Sequence, residues 1–137
     1  MPVRTKRWND PVEASDGFRL LICLYRPRGV PKVGEPWDAW CNALAPSKQL
    51  HAARYGKTGP AIDFDEYRAR FLSEMEARRY WIESFAERVR AGETLTLLCS
   101  SACEDVTTCH RSLVKQLIED AAAAGSKPQV TRGRGPR

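Results

Sequence analysis

The spacing of apolar residues changes several times along this chain, and each change marks an element. Phe18 to Tyr25 (FRLLICLY) is nearly continuously apolar, broken only by Arg19. That pattern predicts a strand covered on both faces, as in parallel sheets. Thr94 to Cys99 (TLTLLC) is the clearest strand, β-branched and apolar after a turn. Residues 2–8 (PVRTKRW) suit a short edge strand, and NDPVEASDG after them is rich in turn formers. Helical spacing appears from Phe64 onward. Phe64, Tyr67, Phe71, Met75, Ile82, Phe85 and Val89 form one stripe, which lapses at Arg78–Arg79 and predicts two helices with a kink. Asp63 followed by Glu66 resembles a capping box at its start, and Ala91-Gly92 ends it.

Shorter elements fill the gaps. Pro36 to Leu44 (PWDAWCNAL) reads as a short helix, with Pro36 in its first turn and Trp37, Trp40, Cys41 and Leu44 on its apolar face. APSKQLHAARYG adds another, closed by Gly56. Thr108 is a suitable N-cap for a last helix from Cys109 to about Ala124, with Leu113, Val114, Leu117 and Ile118 inward. Two core strands joined by a long helical crossover imply a parallel pair. The expected fold is a small open α/β sheet of three or four mostly parallel strands with helices on both faces. In such sheets ligands bind beyond the carboxyl ends of the strands. RPRGVPK and SSACEDVTTCHR both follow core strands and are placed at that edge.

Composition narrows the class. A chain of 137 residues, 42% of them hydrophobic, fits one packed domain. Net charge is +5, but the last twelve residues supply four of those charges through Lys127, Arg132, Arg134 and Arg137, with no acid. Residues 1–125 are therefore expected to form a nearly neutral α/β domain, and 126–137 a basic, disordered tail able to meet polyanions such as nucleic acid. A dedicated nucleic-acid face on the body is not indicated. No apolar run approaches a membrane span, and MPVRTKRWNDP lacks the apolar region of a signal peptide. A cytoplasmic protein without a membrane partner is expected. The odd count of five cysteines fits free thiols better than a disulfide framework.

Cys99, Cys103, Cys109 and His110 form a C-x3-C-x5-C-H pattern open to three roles. One is thiol chemistry, with Cys109 favoured at a helix start and Arg111 beside it. His110 would then serve as acid or base, although adjacent helical residues diverge by about 100°. A second is a structural zinc site, but the spacing matches no usual knuckle, and no metal or cofactor is assigned. The third is simple packing. Arg26, Arg28 and Lys32, stiffened by Pro27, Gly29 and Pro31, are expected to face this loop and enclose a small anionic ligand with Arg111. No glycine-rich phosphate fingerprint is present. Glu104 and Asp105 are expected to pair with the arginines, and His51, Trp37 and Trp40 to be structural.

Several runs together resemble the YeaO-like family of small bacterial proteins of unknown function (domain of unknown function 488). They are Lys6-Arg7, Asp16-Gly17-Phe18-Arg19, Pro27-Arg28-Gly29-Val30 with Lys32, Trp40 with Leu44-Ala45-Pro46-Ser47 and Leu50, and Thr96-Leu97-Leu98. Cys109-His110-Arg111 resembles a second branch of that superfamily, in which a strand-end cysteine precedes Cys-His-Arg. The resemblance implies the α/β fold and no activity. Where the family has Asp-Arg-Leu-Trp before Pro-Arg-Gly, this chain has Cys23-Leu24-Tyr25-Arg26, and His51 stands where an arginine is usual. A site built on those family groups would be rearranged here, with Arg26 and His51 as substitutes. The readings to be tested are an enzyme acting on a small anionic or nucleotide-like ligand through Cys109, His110 and Arg111, a non-catalytic anion or nucleic-acid binder, and a structural zinc protein.

Overall fold

The computed structural model describes residues 3–103 and 105–125. The expected basic tail and Glu104 lie outside them. Four parallel strands run in the order β1-β4-β2-β3: β1 (Val3–Arg7), β2 (Phe18–Leu21), β3 (Ala39–Trp40) and β4 (Leu95–Cys99). Strand β4 is central, pairing Val3 to Leu95 through Arg7 to Cys99 on one side, and Phe18 to Leu95 through Leu21 to Leu98 on the other. All five of its residues are buried, which is why LTLLC carries no charge.

The helices are α1 (Lys48–Arg54), α2 (Phe64–Glu76), α3 (Arg79–Arg90) and α4 (His110–Gly125). Ser47 caps α1 by accepting from the Leu50 amide, and Asp63 caps α2 by accepting from the Glu66 amide at 2.9 Å. The predicted lapse at Arg78–Arg79 is the α2–α3 junction. Tyr67, Phe71 and Met75 of α2, Ile82, Phe85 and Val89 of α3, and Val114 and Ile118 of α4 share one core with Val3, Leu20, Leu95 and Leu97 of the sheet.

One detail differs from a sheet with helices on both faces. All four α-helices contribute to that single core, and loops cover the other face. There Leu21 and Leu98 pack against Trp37, Trp8 and Val30. Beside them lies a buried ion cluster. Asp16, in a single 3-10 turn (Ala14–Asp16), pairs with Arg19 and with Lys6 at 2.8 Å, and Thr96 Oγ1 donates to its backbone oxygen at 2.6 Å. Burial alone would raise the Asp16 carboxyl, but hydrogen bonds from Lys6, the Glu13 amide and Arg19 outweigh it and hold it at about 2. Gly17 follows at φ 64°, where a Cβ would meet Thr94 O at 2.3 Å, so only glycine allows β2 to start against β4.

Two elements correct the sequence reading. Pro36–Leu44 is no helix. The Asp38 amide donates to Arg19 O at 2.7 Å and the Cys41 amide to Leu21 O at 2.9 Å, which makes Ala39–Trp40 an edge strand, followed by a 3-10 turn at Asn42–Leu44. Strand β2 is also shorter than FRLLICLY. Past Leu21 the Ile22 amide still donates to Leu98 O at 3.0 Å, and the chain then bends away, carrying Cys23 to Tyr25 over the sheet edge.

Candidate functional site

The carboxyl ends of β2 and β4 open into a cleft of about 810 Å³, at the edge where open α/β sheets bind ligands. Its floor is a thiol cluster. Cys99 ends β4, Cys103 follows on the next turn, and Cys109 stands just before α4. Cys99 Sγ lies 3.4 Å from Cys103 Sγ and 3.3 Å from Cys109 Sγ. Cys99 and Cys109 are buried and Cys103 is partly exposed, and all five cysteines of the chain are free thiols.

The last helix begins differently from the sequence reading. Thr108 closes a 3-10 turn (Val106–Thr108), and Cys109 has the extended backbone of a residue preceding a helix, with φ −111° and ψ 146°. The 100° divergence of adjacent helical residues therefore does not apply to Cys109 and His110. His110 Nδ1 lies 3.9 Å from Cys109 Sγ and 3.8 Å from Cys99 Sγ. Its Nε2 is 2.8 Å from Ile22 O, and a carbonyl only accepts, so Nε2 carries the proton and Nδ1 turns its lone pair to the thiols. Burial lowers the His110 pKa despite that bond, so the ring is neutral at physiological pH.

Cys109 also differs from the depressed-pKa thiol expected at a helix start. Its interactions with Cys103 and Cys99, and then burial, push its thiol up. Contacts with Cys103 first, partly offset by Cys109, do the same for Cys99. Cys103 moves the other way. Hydrogen bonds from Cys109 and Cys99 hold it well below the ordinary thiol range, with the Arg111 charge adding to the effect.

The basic loop only partly reaches this site. Arg28 lines the cleft. Arg26 is paired with Glu35, donates to Val30 O at 2.8 Å and lies over the Trp37 ring at 5.3 Å, so it braces the loop. Lys32 is exposed and outside the cleft lining. Arg111 is 5% exposed and donates to Cys103 O at 2.9 Å, tying the thiol loop down from behind instead of facing Arg28. Asp105 lines the cleft and accepts from the Thr107 amide at 3.0 Å, so its oxygen serves a turn and not an arginine.

Helix α1 supplies the opposite wall, on which the sequence reading named only His51, as structural or as a substitute for a family arginine. His51, Arg54 and Tyr55 fall at i, i+3 and i+4, a single helical face, and all three line the cleft with Tyr25 and Tyr67. His51 packs between Tyr25 at 5.6 Å and Tyr55 at 4.8 Å. Burial, then the Lys57 charge, lowers the pKa of His51. Arg54 lies over the Tyr67 ring at 5.7 Å and donates to Ile62 O. Trp37 is buried core, whereas Trp40 is partly exposed and donates from Nε1 to Cys23 O at 2.8 Å, pinning the strand-end bend. Among the described residues no helix is long and apolar enough to cross a membrane.

Comparison with known proteins places the chain. It is 32% identical over 101 residues to the uncharacterised protein YeaO of Escherichia coli, covering 74% of this chain and 84% of that one. It is 25% identical over 116 residues to the uncharacterised protein Rv3073c of Mycobacterium tuberculosis and to Mb3100c of Mycobacterium bovis, covering 85% of this chain and 92% of theirs. No solved structure matches. The profile of DUF488-N3a, described as the active DUF488-N3 subclade, matches residues 3–122. With its parallel sheet, its strand-end thiols and a match across nearly the whole described fold, the chain belongs to the YeaO-like DUF488 family.

Proposed function

We propose that the cleft is the active site of an enzyme acting on a small anionic, nucleotide-like ligand. The carrying observation is that one cleft joins a floor of thiols and an imidazole to basic and aromatic walls. Cys99, Cys103, Cys109 and His110 lie at its floor, and Arg28, Arg54, Tyr25, His51 and Tyr55 on its walls. Arginine forks suit phosphate or carboxylate, and flat rings suit a planar heterocycle. The family's description as an active subclade supports chemistry over passive binding.

The test titrates the reduced protein with nucleoside mono- and diphosphates and with inorganic phosphate, following tryptophan fluorescence, since Trp8 lines the cleft. Saturable nucleotide binding, weakened about tenfold or more by Arg28→Ala or Arg54→Ala and falling with salt, is expected. Binding that ignores both substitutions, or no binding at all, refutes the ligand assignment. Nucleotide turnover lost in Cys103→Ser and Cys109→Ser with binding retained supports the enzyme. Binding without turnover in the wild type makes the cleft a recognition site only.

A further inference from the structure

We propose that Cys99, Cys103, Cys109 and His110 Nδ1 form a zinc site at the floor of the cleft. Single buried thiols are ordinary core residues, but here three converge from separate segments. Their sulfurs all lie within 4.8 Å of one another. Three thiolates and one imidazole are an established tetrahedral zinc ligand set. With zinc–sulfur bonds of about 2.3 Å, the edges of such a tetrahedron are about 3.8 Å. Four of the six edges are 3.3 and 3.4 Å between sulfurs and 3.8 and 3.9 Å from sulfur to Nδ1. The Cys103–Cys109 edge is within 4.8 Å, and Nδ1 lies on the Cys99 and Cys109 side of the sulfur group, so Cys103 must move toward it to close the last edge. Small outward shifts of the sulfurs make room for the ion. Cys103, on a turn and partly exposed, is the ligand freest to adjust.

Two surrounding features fit the same assignment. The Nε2–H bond to Ile22 O fixes the tautomer that leaves Nδ1 open, the outer-shell contact that metal-bound histidines commonly make. Three thiolates on a divalent ion leave one net negative charge. Arg111 is 95% buried, its Nε has no hydrogen-bond partner, and its guanidinium already holds the Cys103 carbonyl, so a compensating cation is built in. The adjacent Cys-His pair, an obstacle while both are read as helical, closes one edge because Cys109 stands outside the helix.

An ion held by all four groups leaves none of them free as nucleophile or base, so the site is tested by metal content on the full chain without nucleotide, apart from any turnover. The reduced protein is loaded with zinc, freed of excess, and assayed for metal by mass spectrometry. Anaerobic cobalt(II) titration reports thiolate ligation through its charge-transfer band. One equivalent is expected in the wild type and in Cys41→Ser, which removes a buried thiol in the other core, away from the cleft. Affinity falls at least 100-fold in Cys103→Ser and Cys109→Ser, with circular dichroism unchanged. A folded wild type that takes no zinc while all five thiols remain titratable overturns the proposal. So does zinc bound equally by both cluster variants. Copper(I) bound in place of zinc, and insensitive to His110→Ala, replaces the tetrahedral site with a three-sulfur one and overturns it as well.

Discussion

Asp16→Asn gives the most exacting test of how this sheet is held together. Asp16 is fully buried and serves Lys6, Arg19 and the Glu13 amide at once. Its carboxyl sits at about 2 against an ordinary 3.8, because hydrogen bonds from Lys6, Glu13 and Arg19 overcome the opposing effect of burial. That difference corresponds to about 2.4 kcal/mol, reduced to roughly 1–2 kcal/mol because the Arg4 and Glu13 partners lie in solvent. The substitution also leaves Arg19, only 4% exposed, without its counter-ion, and losing one partner of a buried pair costs about 3–5 kcal/mol. The expected destabilisation at pH 7 is therefore about 3 kcal/mol. Its sign with pH is fixed, since a depressed folded pKa stabilises above the unfolded value and loses that contribution as pH falls through the folded one. The gap between wild type and variant should narrow by roughly 1–2 kcal/mol between about pH 5 and pH 2. Urea unfolding of both proteins across that range measures it. A gap below about 1 kcal/mol at pH 7, or one that stays constant into acid, refutes the reasoning.

Other substitutions probe separate joints. Gly17→Ala places a Cβ 2.3 Å from Thr94 O at positive φ, and thermal melting should show a loss of at least about 1–3 kcal/mol. Leu97→Ala, at a fully buried centre of the sheet, should cost about 2–5 kcal/mol in chemical denaturation. Ser47→Ala removes the α1 cap and a bond to Glu74. It should cost about 1 kcal/mol and, because α1 carries His51, Arg54 and Tyr55, weaken nucleotide binding further in the fluorescence titration.

How much of this was legible follows from where each signal resides. LTLLC, the α2–α3 stripe and the Asp63 cap depend on local periodicity and local hydrogen bonds, and they read correctly. Pro36–Leu44 has helical spacing too, but the free edge of β2 offers the Arg19 and Leu21 carbonyls to its backbone, and tertiary pairing overrides a weak local preference. The thiols and His110 could be named because their residue types are scarce. Which of the basic residues face them could not, since Arg26 finds Glu35 nine positions later and Arg111 turns to a carbonyl behind the loop. The face formed by His51, Arg54 and the C-cap Tyr55 was a readable signal, three polar or aromatic side chains at i, i+3 and i+4 opposite the buried Leu50.

The strand order β1-β4-β2-β3 also sets when the protein can fold as it is made. Strands β1 and β2 are made before β4, yet they share no ladder, because the strand that belongs between them is β4, ending at Cys99. Until that segment appears, the residues before it have only the short β2–β3 ladder as sheet. Sheet, core and cleft therefore form together only once residues 95–99 have been made, and a nascent chain halted before residue 95 should remain exposed to chaperones and proteases.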